Sequence, residues 1–262
     1  NSCVSDPLAD QQWALNTVDA CDAWTITKGK GVSVAVLDQG IDSKHKEFAE
    51  NYSSLSYDLT TKSLPTQVYG EHGTHVAGII GANHNGIQIA GLAPEVSLVS
   101  LSHPLTVGTE RVAQLASGFG YATTHGIDVI NNSWGDQGGR LYQQLHSSLL
   151  EESIQNALTN GRNGKGMVVV FASGNQAGQR TDYPGYMFPD ALIVGSISSN
   201  LKRSYFSTYD DKLDVMAPGG DILSTLPGNS TGKMSGTSMA APYATALASL
   251  VLSVNPSLTN SD

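Results

Sequence analysis

Hydrophobic positions along the chain form two alternating kinds of run, short continuous ones and longer ones spaced for a helix. Val32 to Leu37 (VSVAVL) is a short β-branched run after a Gly-rich turn, and it stops at Asp38-Gln39-Gly40, which predicts a buried strand. Between Thr109 and His125 the apolar residues Val112, Leu115, Ala116 and Phe119 recur at i, i+3, i+4 and i+7 before Gly126, which predicts an amphipathic helix. Ile127 to Ile130 follows as a strand. Leu150, Ile154, Ala157 and Leu158 repeat the helical spacing up to the break NGRNGKG, and Met167 to Ala172 (MVVVFA) is a further continuous strand. The alternation β, α, β, α, β predicts a single-domain α/β fold of three layers, a mostly parallel twisted sheet between helices. Functional residues then belong beyond the carboxyl ends of the strands. Three such ends stand out: Asp38 after VAVL, Asn131 to Gly135 (NNSWG) after DVI, and Ser173-Gly174-Asn175 after VVVFA.

Composition narrows the classes. Hydrophobic residues make up 40% and charged residues 14% of 262, which excludes disorder and coiled coil. Lys+Arg 14 against Asp+Glu 23 leaves a net charge of -9, a poor match to a nucleic-acid backbone. The uncharged stretch Met239 to Val254 contains a Pro and several hydroxyls and is shorter than the roughly 20 residues of a membrane span, so it reads as a buried helix. No linker divides the chain, which is expected to be one domain over 1–262 with an N-terminal arm over about 1–25. Cys3 and Cys21 lie outside any zinc-like cluster. A disulfide pinning the arm is the preferred reading, two buried thiols the alternative. A start at Asn1 suggests a processed, exported protein, although a trimmed chain would look the same.

Asp38 alone is an acid at a strand end, a common turn residue. His72 lies in EHGTHVAG, where His72 and His75 at i, i+3 lack the glutamate and third ligand of a metal site. Ser238 lies in MSGTSMAAP, a small-residue turn feeding the uncharged helix; such a serine caps a helix or acts as a nucleophile favoured by the helix dipole. The order Asp38, His72, Ser238, with each residue in an unusual string, resembles the subtilases, the subtilisin-like serine proteases. VAVLDQGID is similar to their aspartate motif, GEHGTHVAG to their histidine motif and SGTSMAAP to their serine motif. FASGN resembles the segment supplying an oxyanion-hole Asn, here Asn175, and NNSWG the strand lining the substrate cleft. The resemblance runs from about Asp6 to Asn255. It implies a secreted serine endopeptidase made as a zymogen with a cleaved propeptide, working through Asp38, His72, Ser238 and Asn175 on a peptide bound as an extended strand. Expected substrate-binding residues are Ser100, Leu101, Ser102, Ser133, Trp134, Gly135, Ala172, Ser173, Gly174 and Asp182. A peptide-binding or adhesion module that retains the fold without cutting is the competing reading, and a metallohydrolase a third.

Two departures mark the match: Gln39 stands where the family has a small hydroxyl residue, and Trp134 where it has an aliphatic one. The string Gly228 to Lys233 imitates a phosphate loop but is one residue short, and it reads as a surface turn. The resemblance also implies a structural Ca²⁺ held by side chains of Asp6, Glu47 and Asn85 and carbonyls of Asn83, Ile87 and Ile89, an all-oxygen shell. Glu47 replaces a shorter Asp there. Family members continue past the serine helix, so an exposed apolar face is expected beside it, covered by a separate C-terminal fragment or a lost segment. Finally, Asp182, just ahead of Tyr183-Pro184-Gly185, is expected at the bottom of the pocket for the residue before the scissile bond, where its carboxylate would favour Lys or Arg and Trp134 would stack along such a chain.

Overall fold

A computed structural model describes residues 3–178 and 180–262. Its elements in order are α1 (Trp13–Thr17), α2 (Ala20–Trp24), β1 (Ser33–Asp38), β2 (Tyr57–Asp58), α3 (His72–Gly81), β3 (Ser97–Ser102), α4 (Thr109–Thr124) and β4 (Val129–Asn132). There follow α5 (Tyr142–Leu145), α6 (Ser148–Asn160), β5 (Val168–Ala172), β6 (Leu192–Ile197), β7 (Val215–Pro218), β8 (Ile222–Leu226), β9 (Ser230–Met234) and α7 (Thr237–Val254). Seven strands form one sheet in the order β2-β3-β1-β4-β5-β6-β7, every pair parallel, while β8 and β9 form an antiparallel hairpin.

Alternation along β1 explains why its apolar run is unbroken. Val34 and Val36 enter the core beneath α3 and α7, and Ala35 and Leu37 enter the opposite core beneath α4 and α6. The expected strands and helices are present with boundaries that move by a residue or two: β1 runs over Ser33–Asp38, β5 begins at Val168 rather than Met167, and β4 begins at Val129 rather than Ile127. Ile127 still closes the preceding helix, donating its N–H to Ala122 O at 3.0 Å. The chain reverses its direction of travel across the sheet at β1, whose neighbours are β3 and β4, and the crevice beyond their carboxyl ends carries Asp38 and the NNSWG segment.

The stretch Met239–Val254 lies within α7, whose Ala240, Ala241, Ala244 and Ala246 are buried against the sheet, so this is a core helix. Its outer side is less covered. Ile26, Val251 and Val254, with β7 and Leu258, line an apolar groove of about 750 Å³, and Ile26 is 74% exposed. Cys3 and Cys21 are joined by a disulfide that ties the arm back onto α2. Of the Gly228–Lys233 string, expected as a surface turn, only Gly228 and Asn229 lie in the turn of the β8–β9 hairpin; Ser230 to Lys233 belong to β9 and pair with β8.

Candidate active site

Asp38 ends β1 fully buried, and its Oδ1 accepts from His72 Nδ1–H at 2.8 Å and from the Gln39 N–H at 2.7 Å. His72 opens α3. A Cβ on the next residue, Gly73, would come within 2.5 Å of Gly40 O, so only glycine lets α3 seat against the turn after β1 and deliver the imidazole to the carboxylate. Burial pushes the His72 pKa down, but the charge of Asp38 and its hydrogen bond outweigh this and leave it above the ordinary histidine value. Gln39 does not replace the family hydroxyl: its side chain runs to Pro104 O at 3.4 Å, and Asp38 Oδ2 is buried with no partner among the described residues. His75 turns away, its Nε2 bonding Gly232 O of the hairpin at 2.9 Å.

Ser238 sits in the first turn of α7. Pro242, four residues on, cannot donate the helical N–H that the Ser238 carbonyl would otherwise receive, and Ser133 Oγ–H supplies a bond there instead at 2.8 Å. Ser238 Oγ–H returns the contact, donating to Ser133 O at 3.1 Å. The end of β4 and the start of α7 are thereby fastened together. Asn175, after β5, has its Oδ1 occupied by the Thr237 N–H and Oγ–H, both at 2.9 Å, and its Nδ2 donates to no group among the described residues. Nδ2 of Asn175 and the backbone N of Ser238 each lie 3.6 Å from one point beside Gly236, so two donors converge.

His72, Ser238 and Asn175 line one cavity of about 260 Å³, together with Ser133, Trp134, Gly135, Ala172, Gly174 and Asp182. Three expected substrate residues are elsewhere. Ser100, Leu101 and Ser102 are buried within β3, a strand paired on both sides by β1 and β2, so its backbone has no edge to offer a peptide. The cavity wall is built instead by Leu105, Thr106 and Val107, just after β3, where Leu105 takes a left-handed conformation. Ser173 is also buried, its Oγ–H donating to Thr208 O at 2.9 Å. Trp134 packs edge-on against Phe171 with centroids 5.8 Å apart, and its indole N–H is buried without a partner among the described residues. Gln39 and Thr237 also border the cavity, positions for which sequence reasoning named no binding role.

Asp182 lies against the two glycines of the cavity walls. A Cβ on Gly135 would stand 2.6 Å from the Asp182 Cβ, and one on Gly174 would stand 2.6 Å from its Oδ1. Oδ1 accepts from the Gly138 N–H at 2.7 Å. Burial drives the Asp182 carboxyl up to about 7; Asp136 adds to the rise, while the Gly138 N–H and Arg180 oppose it.

A second acidic group lies beyond α3. Asp6 Oδ1 accepts from the N–H groups of Asn85 and Gly86, both at 3.1 Å, and Glu47 Oε2 from that of Ile89 at 2.8 Å. The remaining oxygens, Asp6 Oδ2 and Glu47 Oε1, are buried with no partner among the described residues. Burial raises Glu47 to about 7, and Asp6 pushes in the same direction against hydrogen bonds from Ile89 and Asn85. Asn85 Oδ1 accepts from the Ile87 N–H at 3.1 Å, and Asn83 Oδ1 from the Glu50 N–H at 3.0 Å.

A buried carboxylate bonded to a histidine, a serine at a helix start and two converging donors, all at the carboxyl edge of a parallel sheet, are features found together in the class of triad serine hydrolases. The model of the subtilase family matches residues 29–262, and the chain belongs to that family. It is 37% identical to subtilisin E of Bacillus subtilis (strain 168) over 235 residues, covering 88% of this chain and 58% of that protein. Thermitase of Thermoactinomyces vulgaris is 34% identical over 258 residues, covering 98% of this chain and 88% of thermitase. The crystal structure of a cold adapted subtilisin-like serine proteinase superposes with a TM-score of 0.76 at 30% identity, over 90% of this chain and 80% of that one. The chain thus spans less than two thirds of the length of subtilisin E.

Proposed function

We propose that the protein is an exported serine endopeptidase that cleaves peptide bonds through an acyl-enzyme on Ser238. The observation that carries this reading is the short His72–Asp38 bond at a cavity shared with Ser238 and the free amide of Asn175. In the resting state the Ser238 hydroxyl donates to Ser133 O. Attack on the scissile carbonyl requires that proton to pass to His72 Nε2, while Asp38 holds Nδ1–H and fixes the tautomer. Asn175 Nδ2 and the Ser238 N–H then receive the oxyanion, and the imidazolium protonates the leaving amine. Water repeats the sequence on the acyl-enzyme. Because His72 acts as a base, the reaction fails as pH falls through its raised pKa. The extended peptide runs between the segment 105–107 and Ser133 to Gly135, with Asp182 at the floor beneath the residue on the acyl side of the scissile bond (P1), favouring Lys or Arg.

The Asp6–Glu47 cluster fits a hard dication. Two buried carboxylate oxygens without partners among the described residues, beside Asn85 and the carbonyls of a polar loop, are the oxygen donors Ca²⁺ takes, and Ca²⁺ there would supply only structural charge neutralisation. The Cys3–Cys21 disulfide supports export to an oxidising compartment. The presence of every catalytic group favours the enzyme over a peptide-binding module. Hydrolysis of fluorogenic peptides tests the choice: steady release of the amine product, absent in Ser238→Ala, is expected, and saturable peptide binding without any product would favour the binding module.

A further inference from the structure

Asp182 has a setting that a plain anionic pocket does not need. The segment after β4 contributes Asp136, fully buried, whose carboxylate is gripped by the Arg180 guanidinium, Nη2 to Oδ2 at 2.5 Å and Nη1 to Oδ1 at 3.3 Å. Arg180 is in turn stacked over Tyr186, 4.8 Å from the ring centre, and Tyr142, at 5.8 Å. Asp136 also accepts the Tyr183 N–H at 3.0 Å, which ties it to the loop that carries Asp182. The segment after β5 faces Asp182 with Gly174 and no titratable side chain, and Gly135 is equally bare. Asp136 and Arg180 therefore neutralise each other, and the charge of the floor is that of Asp182 alone: minus one when ionised, zero when protonated.

Resting on the peptidase reading, we infer that this floor is a proton-gated selector of the P1 residue: ionised Asp182 draws an ammonium or guanidinium side chain, and protonated Asp182 accepts a neutral, hydrogen-bonding one. Two features make the gate responsive. Asp182 is only 6% exposed, so solvent screens its charge poorly, and each protonation state has a partner problem that a different substrate solves. A carboxylate here without a cation is a costly buried charge; a carboxylic acid beside a cation wastes the desolvation of that cation. The setting of Asp182, with its carboxyl held at about 7, puts the crossover at neutral pH, between the burial that raises it and the Arg180 charge that opposes the rise.

The ratio of kcat/KM for two peptides that differ only in P1, Lys against Gln, measured from pH 5.5 to 9, reads the gate directly. Titration of His72 affects both peptides alike and divides out. The ratio is expected to rise by up to about tenfold per pH unit below the crossover and to level off above it. Asp182→Asn should flatten the ratio, and Arg180→Gln should move its midpoint to higher pH by removing the opposing cation and exposing Asp182 to the Asp136 charge. A wild-type ratio that is constant or falls with pH overturns the inference, and so does a rise that survives in Asp182→Asn. Failure of the peptidase reading looks different: neither peptide is cut at any pH and Ser238 takes no fluorophosphonate.

Discussion

The candidate active-site cavity and the Asp6–Glu47 cluster both bury carboxylates, and they supply them with different partners. In the cavity Asp38 meets two donors on one oxygen, His72 and the Gln39 N–H, so its charge is used within the fold to hold a tautomer. Asp6 and Glu47, like Asp38, each keep one oxygen buried without a partner among the described residues, but their bonded oxygens accept from backbone N–H groups where Asp38 also has the His72 imidazole. Both regions bury acid, but only the first supplies the partner cation from its own sequence. On the calcium reading proposed above the second would be completed by an added ion, and the two should separate cleanly under perturbation.

The largest separation comes from Ser238→Ala, expected to lower kcat by about 10⁶-fold, the magnitude known for subtilisin, while the melting temperature with and without calcium stays as in wild type. Steady-state kinetics beside calorimetry would show it. If Asn175 Nδ2 serves the oxyanion as proposed, Asn175→Ala should cost about 10²- to 10³-fold in kcat with little change in KM, because that charge exists only in the transition state. A rise in KM alone would mean that Asn175 serves ground-state binding and that the donor pair has been misassigned.

Perturbing the cluster should do the reverse. Glu47 stays protonated in the calcium-free folded protein up to about 7 but ionises near 4.5 when unfolded. Unfolding therefore releases a proton across that window, and apo stability falls as pH rises from about 4.5 to 7, by no more than about 3 kcal/mol from this residue. Asp182, also held at about 7, adds a fall over a similar range. Calcium, which needs the carboxylate, should bind more tightly as pH rises and offset the Glu47 share. Thermal melts in chelator and in millimolar Ca²⁺ at pH 5 and 8 measure this; Glu47→Gln should abolish the calcium shift and raise the apo melting temperature at pH 8. Reducing the Cys3–Cys21 bond, which closes a separation of 18 residues, should cost up to about 3 kcal/mol and leave both regions intact.

Different parts of this account were legible in the chain for physical reasons. Strands β1 and β5 are buried on both faces and so print as unbroken apolar runs, and α4 and α6 are covered on one face and print at helical spacing. The Asp38–His72 pairing was legible because both residues sit in strings whose small residues are forced by close contact, as Gly73 is by Gly40 O. The substrate wall was misread at Ser100 to Ser102, because hydroxyls in a strand look available when they are in fact spent inside, Ser100 Oγ accepting the Ile41 N–H at 3.2 Å. Nothing in the pattern marks the left-handed turn at Leu105 that carries the chain out of the sheet to line the cavity. The pairing of Arg180 with Asp136, 44 positions apart, is likewise a product of the fold.

The central claim is that His72, held by Asp38, makes Ser238 a nucleophile. Incubation with a fluorophosphonate, followed by intact-mass and peptide mapping, tests it most directly. Wild type should take one label per chain, on Ser238, at a rate that rises with pH through the His72 titration; Ser238→Ala should take none, and Asp38→Asn should label far more slowly. Folded wild type that remains unlabelled, or carries its label on a serine other than Ser238, would contradict the account.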